Sequence, residues 1–224
     1  MTTETKFWKK KYFTMLAGQS VSLITSGILQ MSIIFYLTAK TNSAMVLSIA
    51  TLMGFLPQAV IGPFAGTFVD RHSRKGVMIG ADLMIAATGG FLAVVSVFME
   101  LPIWLIMLVL FVRSIGNAFH SPASSAVTPL MVPQDQLTKC AGYNQTMQAA
   151  VSLISPAAAA FLYSVWSLST IILLDIIGAV LACGVVAVLS IPNPPICPGE
   201  SQNSFFRDMK EGYFELKKNK GLFA

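Results

Sequence analysis

Residues 66–76 read GTFVDRHSRKG, with one acid and three bases between Asp70 and Lys75, in a chain that is 54% hydrophobic and only 11% charged. On either side the charge disappears. Apolar sequence runs from 44 to 69 before this stretch and from 76 to 98 after it. Each run has at least the ~20 residues that carry an α-helix across a ~30 Å hydrocarbon layer. The charged segment is therefore a hydrophilic turn joining two membrane spans.

Further apolar runs lie at 13–37, 103–127, 141–164 and 168–190, which makes six spans in all. The mean hydropathy of +0.68 agrees, since soluble domains carry about 25% charged residues. Runs such as IWLIMLVLF do not alternate, as the strands of a membrane β-barrel must. The expected fold is an all-α membrane protein of six transmembrane helices. Lys and Arg collect in cytoplasmic loops. With the N-terminus inside, every one of the 15 bases except Lys40 and Arg113 falls on the cytoplasmic side. Trp8, Trp104 and Trp166 fall at span boundaries, where an indole prefers to sit. The net charge of +5 thus reflects topology and does not point to nucleic acid.

The first apolar run is longer than the h-region of a signal peptide and ends in no A-x-A-like site, so it is expected to be retained. Cys140 and Cys197 face the cytoplasm in this topology and Cys183 lies in a helix, so no disulfide is expected. The domain reading is a basic N-terminus (1–12), a six-helix bundle (13–190), a cytoplasmic loop (191–220) and the start of a truncated seventh helix (221–224, GLFA). The loop opens with IPNPPICPGESQNS, too rich in proline for a helix. FFRDMKEGYFELKKNK follows, with Phe205, Phe206, Met209, Tyr213 and Leu216 at roughly helical spacing.

Gly62, Gly66 and Asp70 recur every fourth residue and so share one helix face, allowing a close helix contact that ends in a carboxylate. Together with Arg71, Arg74 and Lys75 they resemble the loop motif in the N-terminal half of a major facilitator superfamily transporter. Ser73 stands where that motif has its second glycine. The resemblance implies that Asp70 approaches a helix of a second half and its dipole, as a latch on the outward-facing state.

Arg113 lies ~15 Å into the fourth span, where a charge costs at least ~2.5 kcal/mol unless it meets a protein partner or water. Asn117 and His120 extend one stripe with it, expected to line a transport path. The superfamily pattern places a glycine four residues after the arginine; here Gly116 follows at three. In the fifth span Gly142, Ser155, Pro156, Ala159 and Ala160 resemble the antiporter motif of the superfamily, with Val151 as its bulky departure. That motif implies a tight, bent seam that prevents leak.

Proton coupling requires an ionisable group within the membrane, and Asp82 and Asp175 are the candidates. Gln19, Ser22, Ser26 and Gln30 give the first span a neutral polar stripe suited to hydroxyl- and ether-rich molecules. Taken whole, the chain resembles the macrolide efflux permeases of the superfamily. That resemblance implies proton-driven export of macrolides across the bacterial cytoplasmic membrane, hence antibiotic resistance. It implies no cofactor other than the proton, and a missing C-terminal half of six further helices. The alternatives are export of another drug or small amphipathic molecule, and a non-transporting half that needs a second half. An enzyme is not indicated, because the chain has no H-E-x-x-H and no convergent nucleophile, base or metal ligands.

Overall fold

The computed structural model describes residues 4–189. The expected loop at 191–220, the helix start at 221–224 and Cys197 lie outside the described residues. The elements are α1 (Glu4–Thr41), α2 (Ala44–Arg71), α3 (Arg74–Phe98), α4 (Ile103–Met131), α5 (Leu137–Val165) and α6 (Leu168–Val188), with one 3-10 turn at Gln134–Gln136. All six helices are long and apolar enough to cross a membrane. Several outrun their apolar stretches: α1 begins within the basic segment expected to precede it, α4 continues past residue 127, and α5 starts before residue 141. Hydropathy marks where lipid ends, whereas the backbone ladder continues until a cap or a turn stops it. Lysine is a good helix former, so the basic N-terminal segment joins α1.

Short turns hold the helices antiparallel. Ser43, Ser73 and Ser167 cap α2, α3 and α6, each side chain accepting the backbone N–H of Val46, Gly76 and Thr170 respectively. Ser73 has φ −60°, so the turn needs no left-handed residue where the family motif has glycine. Its departure from the motif supplies a cap. Ser73→Ala is expected to lower stability by about 1 kcal/mol and Ser73→Gly by only a few tenths, measured by thermal unfolding in detergent. Equal losses would show that the hydroxyl does not cap.

α2 packs on α4, α1 on α5 and α6, and α3 on α4 and α6. This pattern maps onto itself when α1, α2 and α3 exchange with α4, α5 and α6, so the bundle is two inverted three-helix repeats. The element ends agree, since one and the same interval separates the end of α2 at Arg71 from that of α5 at Val165 and the cap Ser73 of α3 from the cap Ser167 of α6. α2 and α5 are the peripheral members; Phe55 is 62% exposed and Leu153 79%. An apolar exterior of this kind belongs against lipid or against further membrane helices.

Two apolar layers fill the interior. One contains Ile33, Leu92, Ile106, Leu110 and Ile172. The other lies toward the basic end, with Tyr12, Met78, Val127 and Cys140. Buried polar groups on α1, α3, α4 and α6 fall between the two layers. Small residues let the helices meet: a Cβ at Gly178 would overlap Thr25, and one at Gly116 would lie 2.6 Å from Ile85. Pro57 interrupts the ladder of α2, and Ser114 Oγ accepts the neighbouring Gln58 N–H at 3.2 Å. At the basic end Tyr12 donates to the Cys140 carbonyl at 2.9 Å, and Arg74 donates to that of Ala126 at 2.8 Å. Lys75 donates to the carbonyls of Ala187 at 2.7 Å and Leu189 at 2.9 Å, a cation on the C-terminal end of α6.

Candidate functional site

At mid-height α1, α4 and α6 converge on a buried ion pair. Arg113 Nη1 donates to Asp175 Oδ2 at 2.7 Å, and Ser26 Oγ donates to Asp175 Oδ1 at 2.6 Å. The second Arg113 nitrogen lies 3.4 Å from Ser26 Oγ. The Asp175 side chain is 0% exposed and that of Arg113 5%. Gly89 of α3 leaves room beside the guanidinium, since a Cβ there would lie 3.7 Å from Arg113 Nη1. Both oxygens of the carboxylate are occupied, so the triad ties three helices together as a closed unit.

A second carboxylate sits less well bonded. Asp82 Oδ1 of α3 lies 3.3 Å from His120 Nε2 of α4. Asp82 Oδ2 and both amide atoms of Gln19 are buried without a hydrogen-bond partner, and the His120–Asp82 approach lacks the alignment of one. His120 and Gln19 also line a cleft of about 400 Å³ between α1, α2, α4 and α5, together with Gln58, Asn117, Asn144 and Gln148. The lining is dominated by neutral amides and hydroxyls, in a bundle whose exterior is apolar.

The expected stripes therefore divide. Asn117 and His120 line the cleft but Arg113 does not, because Asp175 draws its side chain toward α6 and α1. Of the polar stripe on helix 1, Gln19 lines the cleft, beside Met15, Leu16 and Leu23, whereas Ser22, Ser26 and Gln30 do not. Ser26 is held by Asp175, and the Gln30 amide lies against Gly54 of α2. Asp175 is sealed in the ion pair and does not line the cleft.

On the turn between α2 and α3, Asp70 is exposed and stands 3.7 Å from Arg74. Arg74 and Lys75 hold α4 and α6, as described above. No atom comes within 4 Å of where a Cβ would stand at Gly62 or Gly66, so that face of α2 is open within the described residues. In the helix 5 motif, Ser155 and Ala159 are buried, and Ser155 and Val151 abut Gly27 of α1. Gly142 has no such neighbour and Ala160 is exposed, so the seam formed here involves only part of the motif. Gly27, Gly89 and Gly178 were not singled out from the sequence. Their partners lie on distant helices, and a lone glycine in an apolar span gives no local sign of its neighbour.

A six-span bundle built as two inverted repeats, with a polar cleft inside an apolar shell, has the architecture of one half of a secondary transporter. The chain belongs to the Major Facilitator Superfamily, whose family model matches residues 15–223. It is 59% identical over 217 residues to macrolide efflux protein A of Streptococcus pyogenes, covering 97% of this chain and 54% of that protein. It is 56% identical over 183 residues to macrolide efflux protein A of Enterococcus faecalis, covering 82% of this chain and 56% of that one. The chain thus spans about half the length of the curated relatives it matches. Among solved structures, a bacterial homologue of the human lysosomal transporter Spinster superposes with a TM-score of 0.61 at 11% identity, over 94% of this chain and 49% of that one. That likeness concerns the fold.

Proposed function

We propose that the complete protein exports macrolide antibiotics across the bacterial cytoplasmic membrane by alternating access, with protons as the coupling ion and the N-terminus inside. The observation that carries this reading is the cleft lined by Gln19, Gln58, Asn117 and Gln148. Its neutral donors and acceptors suit a large molecule rich in hydroxyl and ether oxygens, and the flanking apolar surfaces suit its hydrocarbon parts. The names of the relatives from Streptococcus and Enterococcus support macrolides in particular. The open Gly62–Gly66 face and the exposed Asp70 beside it are the surface against which a second half would close. The bases at the N-terminus and in the α2–α3 turn support the assigned orientation.

Cells expressing the complete coding frame are expected to hold several-fold less labelled erythromycin than control cells, and a protonophore is expected to abolish the difference. Equal accumulation in the two strains would overturn the macrolide reading. Lowered accumulation of another amphipathic drug alone would identify an exporter of different range. A difference that survives the protonophore would remove the proton.

A further inference from the structure

The inverted repeat relates the two buried carboxylates. The interval that separates the serine caps Ser73 and Ser167 also separates Gln19 from Arg113 and Ser26 from His120, and Asp82 and Asp175 correspond to within one residue. Exchanging the two trios therefore carries Arg113 of α4 and Ser26 of α1 onto Gln19 of α1 and His120 of α4, and brings Asp175 to the residue beside Asp82. Each acid sits about two turns into its helix. The two sites have the same architecture and opposite chemistry. In one, a guanidinium and a hydroxyl fill both oxygens of the acid. In the other the guanidinium position is a neutral amide, the hydroxyl position is an imidazole, and one carboxylate oxygen has no partner.

We infer that the Asp82–His120 pair is the exchangeable proton site of this half-bundle, and that the Arg113–Asp175 pair is its fixed, structural counterpart. The role in transport rests on the export reading above; the binding of the proton does not. With one proton in the pair, Asp82 holds it as a carboxylic acid whose Oδ1 lies 3.3 Å from Nε2 of a neutral His120, and the pair is neutral. When that O–H bond breaks, its electrons stay on the carboxylate oxygen and the proton passes to water in the cleft that His120 lines. The pair then carries one negative charge behind the cleft wall. An amphipathic ammonium in the cleft is favoured by that charge and disfavoured by the proton.

The surroundings contain little that would hold the charge in a single state. From α4 the ionisable groups facing Asp82 are His120 and, beyond it, Arg113, which Asp175 engages. From α6 they are Asp175, whose charge is offset by Arg113, and Cys183, whose thiol donates to the Ile79 carbonyl at 3.8 Å. α1 offers only the neutral Gln19. The ionisable side chains of α2, Asp70 and Arg71, lie at its far end by the turn. No guanidinium or ammonium is bonded to Asp82 among the described residues, which is what separates it from Asp175.

The test is a pH titration of the protonated-carboxyl C=O stretch by difference infrared spectroscopy, on the product of the complete coding frame in lipid nanodiscs with no drug present. A carboxyl shielded from water gives a high-frequency component. That component is expected to titrate in the wild type, to vanish in Asp82→Asn, and to persist in the double variant Arg113→Gln with Asp175→Asn, which removes both charges of the other site together. His120→Gln is expected to shift its midpoint by about one pH unit or more. A titrating component retained in Asp82→Asn, or lost in the double variant, would overturn the assignment. Should Asp82→Asn not fold, His120→Gln decides, and an unmoved midpoint sinks the proposal. A proton site that stands while erythromycin accumulation is unchanged would remove the substrate reading and leave this one intact.

Discussion

Asp175→Ala is expected to cost about 3–5 kcal/mol, the usual consequence of leaving one member of a buried ion pair without its partner. The structure gives the reason. Arg113 is buried between two apolar layers, and besides Asp175 it reaches Ser26 Oγ, at a long 3.4 Å. With the carboxylate gone, the guanidinium remains in a low-dielectric interior with no compensating charge. Arg113→Ala is expected to cost a similar amount by stranding Asp175. Domains are commonly stable by only 5–15 kcal/mol, so either loss should be visible as a collapse in folded yield and a lower midpoint of unfolding in detergent. The double variant Arg113→Leu with Asp175→Leu separates a penalty for breaking the pair from a net benefit of having it. Because the desolvation of both charges is then removed together, most of the stability is expected to return. If the double variant loses the sum of the two single losses, the pair does not act as a unit and the closed triad described above is wrong.

Much of the bundle was legible in the sequence because the bilayer imposes a length on apolar runs and a side on basic residues. Those two constraints act locally along the chain, so six spans and their turns could be placed without any knowledge of packing. Ser73 could be seen as a departure from the loop motif, but its service as a cap depends on φ and on the Gly76 amide, which only the folded turn shows. The site was harder. Arg113, Asn117 and His120 share a stripe by helical periodicity, yet the arginine is long enough to leave its stripe, and an acid on α6 decides where it goes. The pairing of Asp82 with His120 joins two helices whose mutual rotation no local pattern sets. What the sequence did hold, once the helix contacts were known, was the repeat. Its constant interval aligns Gln19 with Arg113 and Ser26 with His120, and so sets different partners beside the two acids.

The same seam that carries Ser26 to Asp175 makes Gly178 the most sensitive glycine of the bundle. Gly178 faces Thr25, whose Oγ1, Cβ and Cγ2 all lie where a new side chain would have to go. Thr25 is β-branched, and its hydroxyl donates to the Ser22 carbonyl at 3.0 Å, so it has little rotamer freedom with which to move aside. Alanine at 178 gains up to ~1 kcal/mol of helix propensity but adds its methyl group into occupied space, a strain of about 1–3 kcal/mol. The strain wins, and Gly178→Ala is expected to be destabilising by roughly 1–2 kcal/mol. Valine gains no comparable propensity and adds two further carbons, so Gly178→Val is expected to reach or exceed ~3 kcal/mol. The damage should not stop at Thr25. Ser26 is the next residue, and displacing this turn of α1 draws its hydroxyl away from Asp175. Gly178→Val and Ser26→Ala should therefore be less than additive, because the second change removes a bond that the first has already broken. Thr25→Gly in the Gly178→Ala background empties the contact and is expected to recover most of the loss in unfolding midpoint, apart from the propensity cost of the new glycine. Recovery without restored coupling to Ser26 would place the strain elsewhere on α1, and no recovery would mean that α1 and α6 do not meet at this pair.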